Sequence, residues 1–233
     1  MNLPIKTLAL ALAAALALAA CGGGGSDSPT AGPPLLVDAE GNSTFDATVL
    51  GGSLTALPIE SLSAAESASL LFMREEEKLA QDVYTQLNIT WSGQTRVFGN
   101  IAKSEATHTE AVRQLLLRYN LPDPNATLSA GVYQNATLQS LYTQLVASGN
   151  VSLIEALKVG AAIEEIDLLD LQKGLLDIDN QDIILIYDNL RKGSRNHLRS
   201  FASTLANQGV TYVPQYLSVA DYQAIVGTPM ERQ

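Results

Sequence analysis

Cysteine and histidine are scarce in this chain. Among 233 residues there is one cysteine, Cys21, and there are two histidines, His108 and His197. A single cysteine allows no disulfide within the chain and excludes a thiolate metal site. Basic residues are also few, with 14 lysines and arginines against 24 aspartates and glutamates and a formal net charge of −10. No basic patch is seen, which argues against nucleic acid as a partner. Surplus acid suits a protein that meets cations, and it equally serves solubility. Strand-like alternation is missing from the sequence, which leaves an all-α fold.

One unbroken apolar run stands out, at residues 8–20. It is too short to span a bilayer and has the shape of a signal-peptide core. Leu18-Ala19-Ala20 then precede Cys21, and Gly22-Gly23-Gly24-Gly25-Ser26 follow it. This resembles a bacterial lipoprotein signal, which implies that residues 1–20 are removed and Cys21 is lipidated. The expected location is the cell envelope, with the domain facing the periplasm or the exterior. Gly22 is not a usual inner-membrane retention residue, so the outer membrane is favoured where the cell has one. Residues 21–60 are rich in Gly, Ser, Pro, Ala and Thr and read as a flexible tether. The folded domain is expected over residues 61–227. Asn-x-Ser/Thr matches at Asn42, Asn88, Asn125, Asn135 and Asn150 read as turn and cap residues rather than glycan sites.

Four long amphipathic segments follow. Ser63-Ala64-Ala65-Glu66 is a capping box, and the first seam reads Leu70, Met73, Glu77, Ala80, Tyr84 and Leu87. Steps of three and four are the helical signature. The second seam reads Phe98, Ile101, Glu105, His108, Val112, Leu115 and Tyr119, and the prolines at 122 and 124 end it. Residues 120–150 hold a loop and one short helix, about 137–147. The third helix starts at Ser152-Leu153-Ile154-Glu155, a second capping box, and carries Leu157, Ala161, Glu164, Asp167 and Leu171. The fourth, about 179–207, carries Ile183, Tyr187, Leu190, Ser194, His197, Phe201 and Leu205. Gly193 inside it costs up to ~1 kcal/mol against alanine and hints at close backbone packing. Ser218 caps a last short helix. Two hairpins joined by a long crossover make a ferritin-like four-helix bundle.

Every long helix thus turns a polar group toward its apolar seam. Glu105 and His108 are three apart and share a face, as do Glu164 and Asp167. Glu77 and His197 come from the other two helices. Burying carboxylates without partners is costly, and a metal neutralises them. Four carboxylates and two imidazoles suit two iron or manganese ions, and a single ion if Asp167 points away. Glu77 sits in the run Glu75-Glu76-Glu77, and Glu76 is the alternative inward residue. Glu165 is a further alternative to Asp167.

Here the chain resembles the ferritin-like superfamily of diiron-carboxylate proteins. Arg74-Glu75-Glu76-Glu77-Lys78-Leu79-Ala80, Ile163-Glu164-Glu165-Ile166-Asp167 and Gly193-Ser194-Arg195-Asn196-His197-Leu198 are, more narrowly, similar to the DUF2202 family. The resemblance implies metal ligation by Glu77, Glu105, His108, Glu164 and His197. The family pattern of Glu-x-x-His is broken on the fourth helix, where Ser194 stands in place of the glutamate. Asp167 would replace it from the third helix. Tyr84, seven residues after Glu77, echoes a ferritin spacing and is a candidate hydrogen-bond partner or redox relay at such a centre. The implied activity is redox chemistry toward oxygen or peroxide. The alternatives are a non-catalytic metal-binding bundle and an interaction module on a lipoprotein tether. A homodimer through an exposed bundle face stays open.

Overall fold

The computed structural model describes residues 32–232. The expected signal segment and Cys21 lie outside the described residues. Seven helices and one two-stranded sheet make up the described chain, in the order β1 (Leu35–Val37), β2 (Ser43–Phe45), α1 (Ala47–Ala56), α2 (Ala64–Trp91), α3 (Val97–Arg118), α4 (Ala136–Gly149), α5 (Leu153–Gly174), α6 (Gln181–Asn207) and α7 (Val219–Val226).

The helix starts follow local chemistry. Ser63 closes a reciprocal box at α2, its Oγ accepting from Glu66 N at 3.1 Å while Glu66 Oε2 accepts from Ser63 N at 2.8 Å. Ser152 caps α5 through Glu155 N at 3.2 Å, but the expected second half of that box is replaced by a Glu155–Lys158 ion pair. Asn135 caps α4 and Asn150 sits at its C-cap, so two of the Asn-x-Thr/Ser matches are helix punctuation.

α2 packs along α3, and α5 along α6. α3 also meets α6, and α2 meets α5, which closes the four long helices into a ring. α4, inside the crossover, lies on α2 and α5. The crossover loop is held by the row Arg74 to Asp82 on α2. Arg74 forks onto Asp123 at 2.9 and 3.0 Å, Glu75 accepts from the backbone of Gln134 and Asn135, and Asp82 accepts from Gly131 N and the Tyr133 hydroxyl, each at 2.8 Å.

The interior has two apolar clusters. One gathers Val83, Tyr84, Leu87, Phe98, Ile101, Leu157, Ala161, Leu198, Phe201 and Leu205. The other gathers Leu70, Met73, Val112, Leu115, Leu171, Ile183, Ile186 and Leu190. On each long helix the polar seam residues fall between members of these two clusters, so two dry plugs bracket one polar layer.

The tether expected over 21–60 is corrected for its described part. Leu35, Phe45, Leu50 and Leu54 are buried in the second apolar cluster. β1 and β2 pair antiparallel with Leu35 opposite Phe45 and Val37 opposite Ser43. Asp38 organises the turn between them by accepting from Glu40 N and Asn42 N at 3.0 and 2.8 Å, and Asp46 caps α1. Strands of three residues are too short to show a period, which is why composition alone read as linker. The domain also runs past 227, since Glu231 pairs with Arg195 and Arg199 of α6 at 2.6 and 2.8 Å.

Candidate metal centre

Glu105 and His108 sit one turn apart on α3, and His197 faces them from α6. Ligating atoms of these three buried residues lie within 4.8 Å of one another, a group that could hold a metal ion. Glu105 spans both rings. Its Oε2 is 3.0 Å from His108 Nδ1, and its Oε1 is 2.8 Å from His197 Nδ1. Glu77 from α2 approaches His108 Nδ1 at 3.5 Å, and Glu164 from α5 approaches His197 Nδ1 at 3.5 Å. Every long helix therefore supplies a group to this layer. The two imidazoles stack with centroids 5.3 Å apart and planes 18° from parallel. Gly193 makes room for them, because a Cβ there would lie 2.5 Å from His108 Cε1.

Asp167 does not belong to the tight group. Its Oδ2 accepts from Ser194 Oγ, the serine that stands where a glutamate was expected. Its Oδ1 is buried without a partner. Tyr84 donates to Glu164 Oε1 at 2.6 Å, with the carbonyl of Gly160 3.2 Å from the hydroxyl.

The three consecutive glutamates are all buried and go three ways. Glu75 holds the crossover, Glu77 reaches His108, and neither oxygen of Glu76 has a partner. Glu165 is removed from the centre. It accepts from the Tyr212 hydroxyl at 2.6 Å and from the backbone N–H groups of Gln215, Tyr216 and Leu217, fixing the segment before α7.

The electrostatics are those of anions with too little counter-charge. Burial pushes the carboxyls of Glu77 and Glu164 above their usual range, with Asp167 adding to the first and Glu105 to the second. Burial and the charge of Glu164 raise Asp167 to about 8. Burial also pushes up Glu76, helped by Asp167 and Asp170. Glu105 goes the other way, because the two imidazoles outweigh its desolvation. Burial alone would lower both histidines, yet Glu105 and Glu77 raise His108, and Glu164 and Glu105 raise His197 to about 9.

Ser43 had no signal in the sequence. It is fully buried and lies 2.8 Å from His108 Nε2 and 3.0 Å from His197 Nε2. Its residue type and its neighbours are those of a linker, and only the packing of β2 on α3 brings it here.

The donor set suits a metal ion. His197 Nδ1 forms no well-aligned hydrogen bond although an oxygen lies 2.8 Å away, and Glu77 Oε1 is buried without a partner. Buried polar atoms are normally satisfied, and a cation on the shared side of these atoms would satisfy them.

Fold and site together define a helical domain with a buried carboxylate–imidazole cluster. The chain belongs to the DUF2202 family, described as an uncharacterized protein domain, whose model matches residues 66–229. It is similar to "Uncharacterized protein MJ0754" of Methanocaldococcus jannaschii, at 48% identity over 179 residues, covering 77% of this chain and 96% of the relative. The crystal structure of hypothetical protein MJ0754 from Methanococcus jannaschii matches with a TM-score of 0.73 at 47% identity, covering 75% of this chain and 99% of that one.

Proposed function

We propose that this protein is a ferritin-like bundle that binds a dinuclear iron or manganese centre and acts in redox chemistry toward oxygen or peroxide. The observation that carries the reading is Glu105, which sets one oxygen against each imidazole Nδ1. A carboxylate shared by two imidazoles in this way suits a centre that Glu105, His108 and His197 would hold together. The ring formed by α2, α3, α6 and α5, with the crossover between α3 and α5, supports the ferritin-like arrangement.

Glu77, Glu105, His108, Glu164, Asp167 and His197 would hold the metals, which supply the redox chemistry when bound. The chain does the rest. Two apolar clusters exclude water on either side of the polar layer. Tyr84 orients Glu164 by hydrogen bonding, the role we assign it in place of a direct redox part. Asp167 brings the fourth carboxylate, with Ser194 small enough to leave it space and placed to hold it. The test is oxygen or peroxide consumption after anaerobic loading with ferrous ion. Turnover well above that of free ferrous ion supports the reading. A protein that fills with metal and consumes neither oxidant is a sequestering bundle instead.

The sequestering alternative has an observation of its own. Asp167 lies outside the tight Glu105–His108–His197 group, so a single ion on those three residues would engage His197 Nδ1 without Asp167. We retain anchoring through a lipid on Cys21 as part of the proposal, with the membrane as the partner it implies.

A further inference from the structure

Ser43 faces the edges of His108 and His197 that point away from the carboxylates. It stands on β2, before the residues matched by the family model. Its position is fixed from several sides. Ser43 N donates to Ser104 Oγ at 3.0 Å, and Phe45 N donates to Thr107 Oγ1 at 3.1 Å, both on α3. The Phe45 ring stands edge-on to His108 at 5.8 Å. Ser200 on α6 donates to the carbonyl of Glu40 at 2.7 Å, which ties down the turn before β2.

A serine oxygen has two lone pairs and one proton. Two imidazole Nε2 atoms lie within hydrogen-bond distance of this one oxygen. If Ser43 donates to either ring, that ring must carry its own proton on Nδ1, aimed at Glu105. Such a ring cannot ligate through Nδ1. If Ser43 accepts from both rings, both protons sit on Nε2 and both Nδ1 lone pairs face the carboxylates. The second arrangement agrees with His197 Nδ1, which is buried with no well-aligned hydrogen-bond partner. The partner of the non-ligating nitrogen sets the tautomer of a metal-binding histidine.

We propose that Ser43 is a positioning residue that accepts from Nε2–H of both His108 and His197 and so presents both Nδ1 atoms to the metal centre. This rests on the metal reading above. It makes the segment of β1, β2 and α1 part of the centre's own architecture.

The experiment uses the full chain labelled with ¹⁵N-histidine and loaded with zinc, a diamagnetic probe. With two histidines in the chain, ¹⁵N NMR reads each ring's tautomer directly. The expected result is a slowly exchanging Nε2 proton on both rings. Ser43→Ala should bind zinc about 10–100-fold more weakly, with faster exchange of both protons. A wild-type chain that takes up no zinc sinks the metal reading. Zinc uptake with a proton on either Nδ1 sinks the Ser43 assignment alone, as does an alanine variant with wild-type affinity and exchange. The wild-type spectrum decides the matter even if the variant fails to fold.

Discussion

The hydroxyl of Ser194 on α6 is hydrogen-bonded to the carboxylate of Asp167 on α5. A glutamate at 194 would bring its own carboxylate to the layer. With serine there, the hydroxyl instead donates to a carboxylate on the neighbouring helix. If Asp167 is a ligand, Asp167→Asn should reduce the metal content from two ions towards one, as measured by elemental analysis of protein refilled with manganese. An unchanged content would place the fourth carboxylate elsewhere, with Glu76 the first residue to test.

Glu76 invites a stability measurement. Its buried carboxylate has no partner, and burial with Asp167 and Asp170 holds its pKa high. The folded state favours its protonated form, so its contribution to stability is lost as pH rises above the unfolded value. Glu76→Gln should stabilise the metal-free protein at pH 8 by an amount on the order of 1 kcal/mol, seen by urea denaturation. Metal content should stay as in the wild type. A destabilised variant, or one with less metal, would make Glu76 a working member of the site.

The metal-free protein should melt lower at pH 9 than at pH 6. The imidazole of His197 is raised to about 9, so its stabilising contribution is complete below roughly 6.5 and is lost as pH rises through 9. Asp167 is raised to about 8, so its contribution is complete below roughly 3.9 and is lost as pH rises through 8. The depressed carboxyl of Glu105 contributes nothing variable across this window. The raised groups Glu76, Glu77, Glu164 and His108 run the same way, and calorimetry in chelator should record the fall. Metal ligation requires the same deprotonations, so the loaded protein should not show that fall. Equal melting of metal-free protein at the two pH values contradicts this account.

Gly193→Ala should harm the centre more than a surface glycine change. The new methyl would lie 2.5 Å from His108 Cε1 and 3.0 Å from Ser43 Oγ. Overpacking of this kind typically costs about 1–3 kcal/mol, and His108 must shift to relieve it. Denaturant midpoints and manganese affinity should both fall. Wild-type values for both would show that the ring moves without consequence.

The anchor has its own test. Cys21→Ala should release the protein from the membrane fraction or block its processing, read by fractionation and intact mass. Unchanged fractionation with unchanged mass contradicts lipidation.

The four long helices and their seams were legible because each repeats its apolar residues over many turns. Glu105, His108 and His197 could be picked out for the same reason, since each interrupts such a seam at a helical step. What was not legible depends on contacts far away in the chain. Glu164 and Glu165 differ by one position, yet the second is fixed by N–H groups about fifty residues later. Ser43 pairs with His197 across 154 positions, from a strand of three residues embedded in linker-like composition. The turn at Asp38 and Gly41, where φ is +86°, looked like tether for the same reason. Gly193 gave a partial hint, because an unfavourable residue inside a long helix needs a packing reason.

We propose that Glu77, Glu105, His108, Glu164, Asp167 and His197 form one metal-binding layer. Its most direct test is the metal stoichiometry of the full chain, refilled with iron or manganese after chelation. The wild type is compared with the double variant His108→Ala, His197→Ala. Two tightly bound ions are expected in the wild type and none in the variant, with the helices of both intact by circular dichroism. A wild-type protein that binds no metal, and whose stability chelator leaves unchanged, would contradict it.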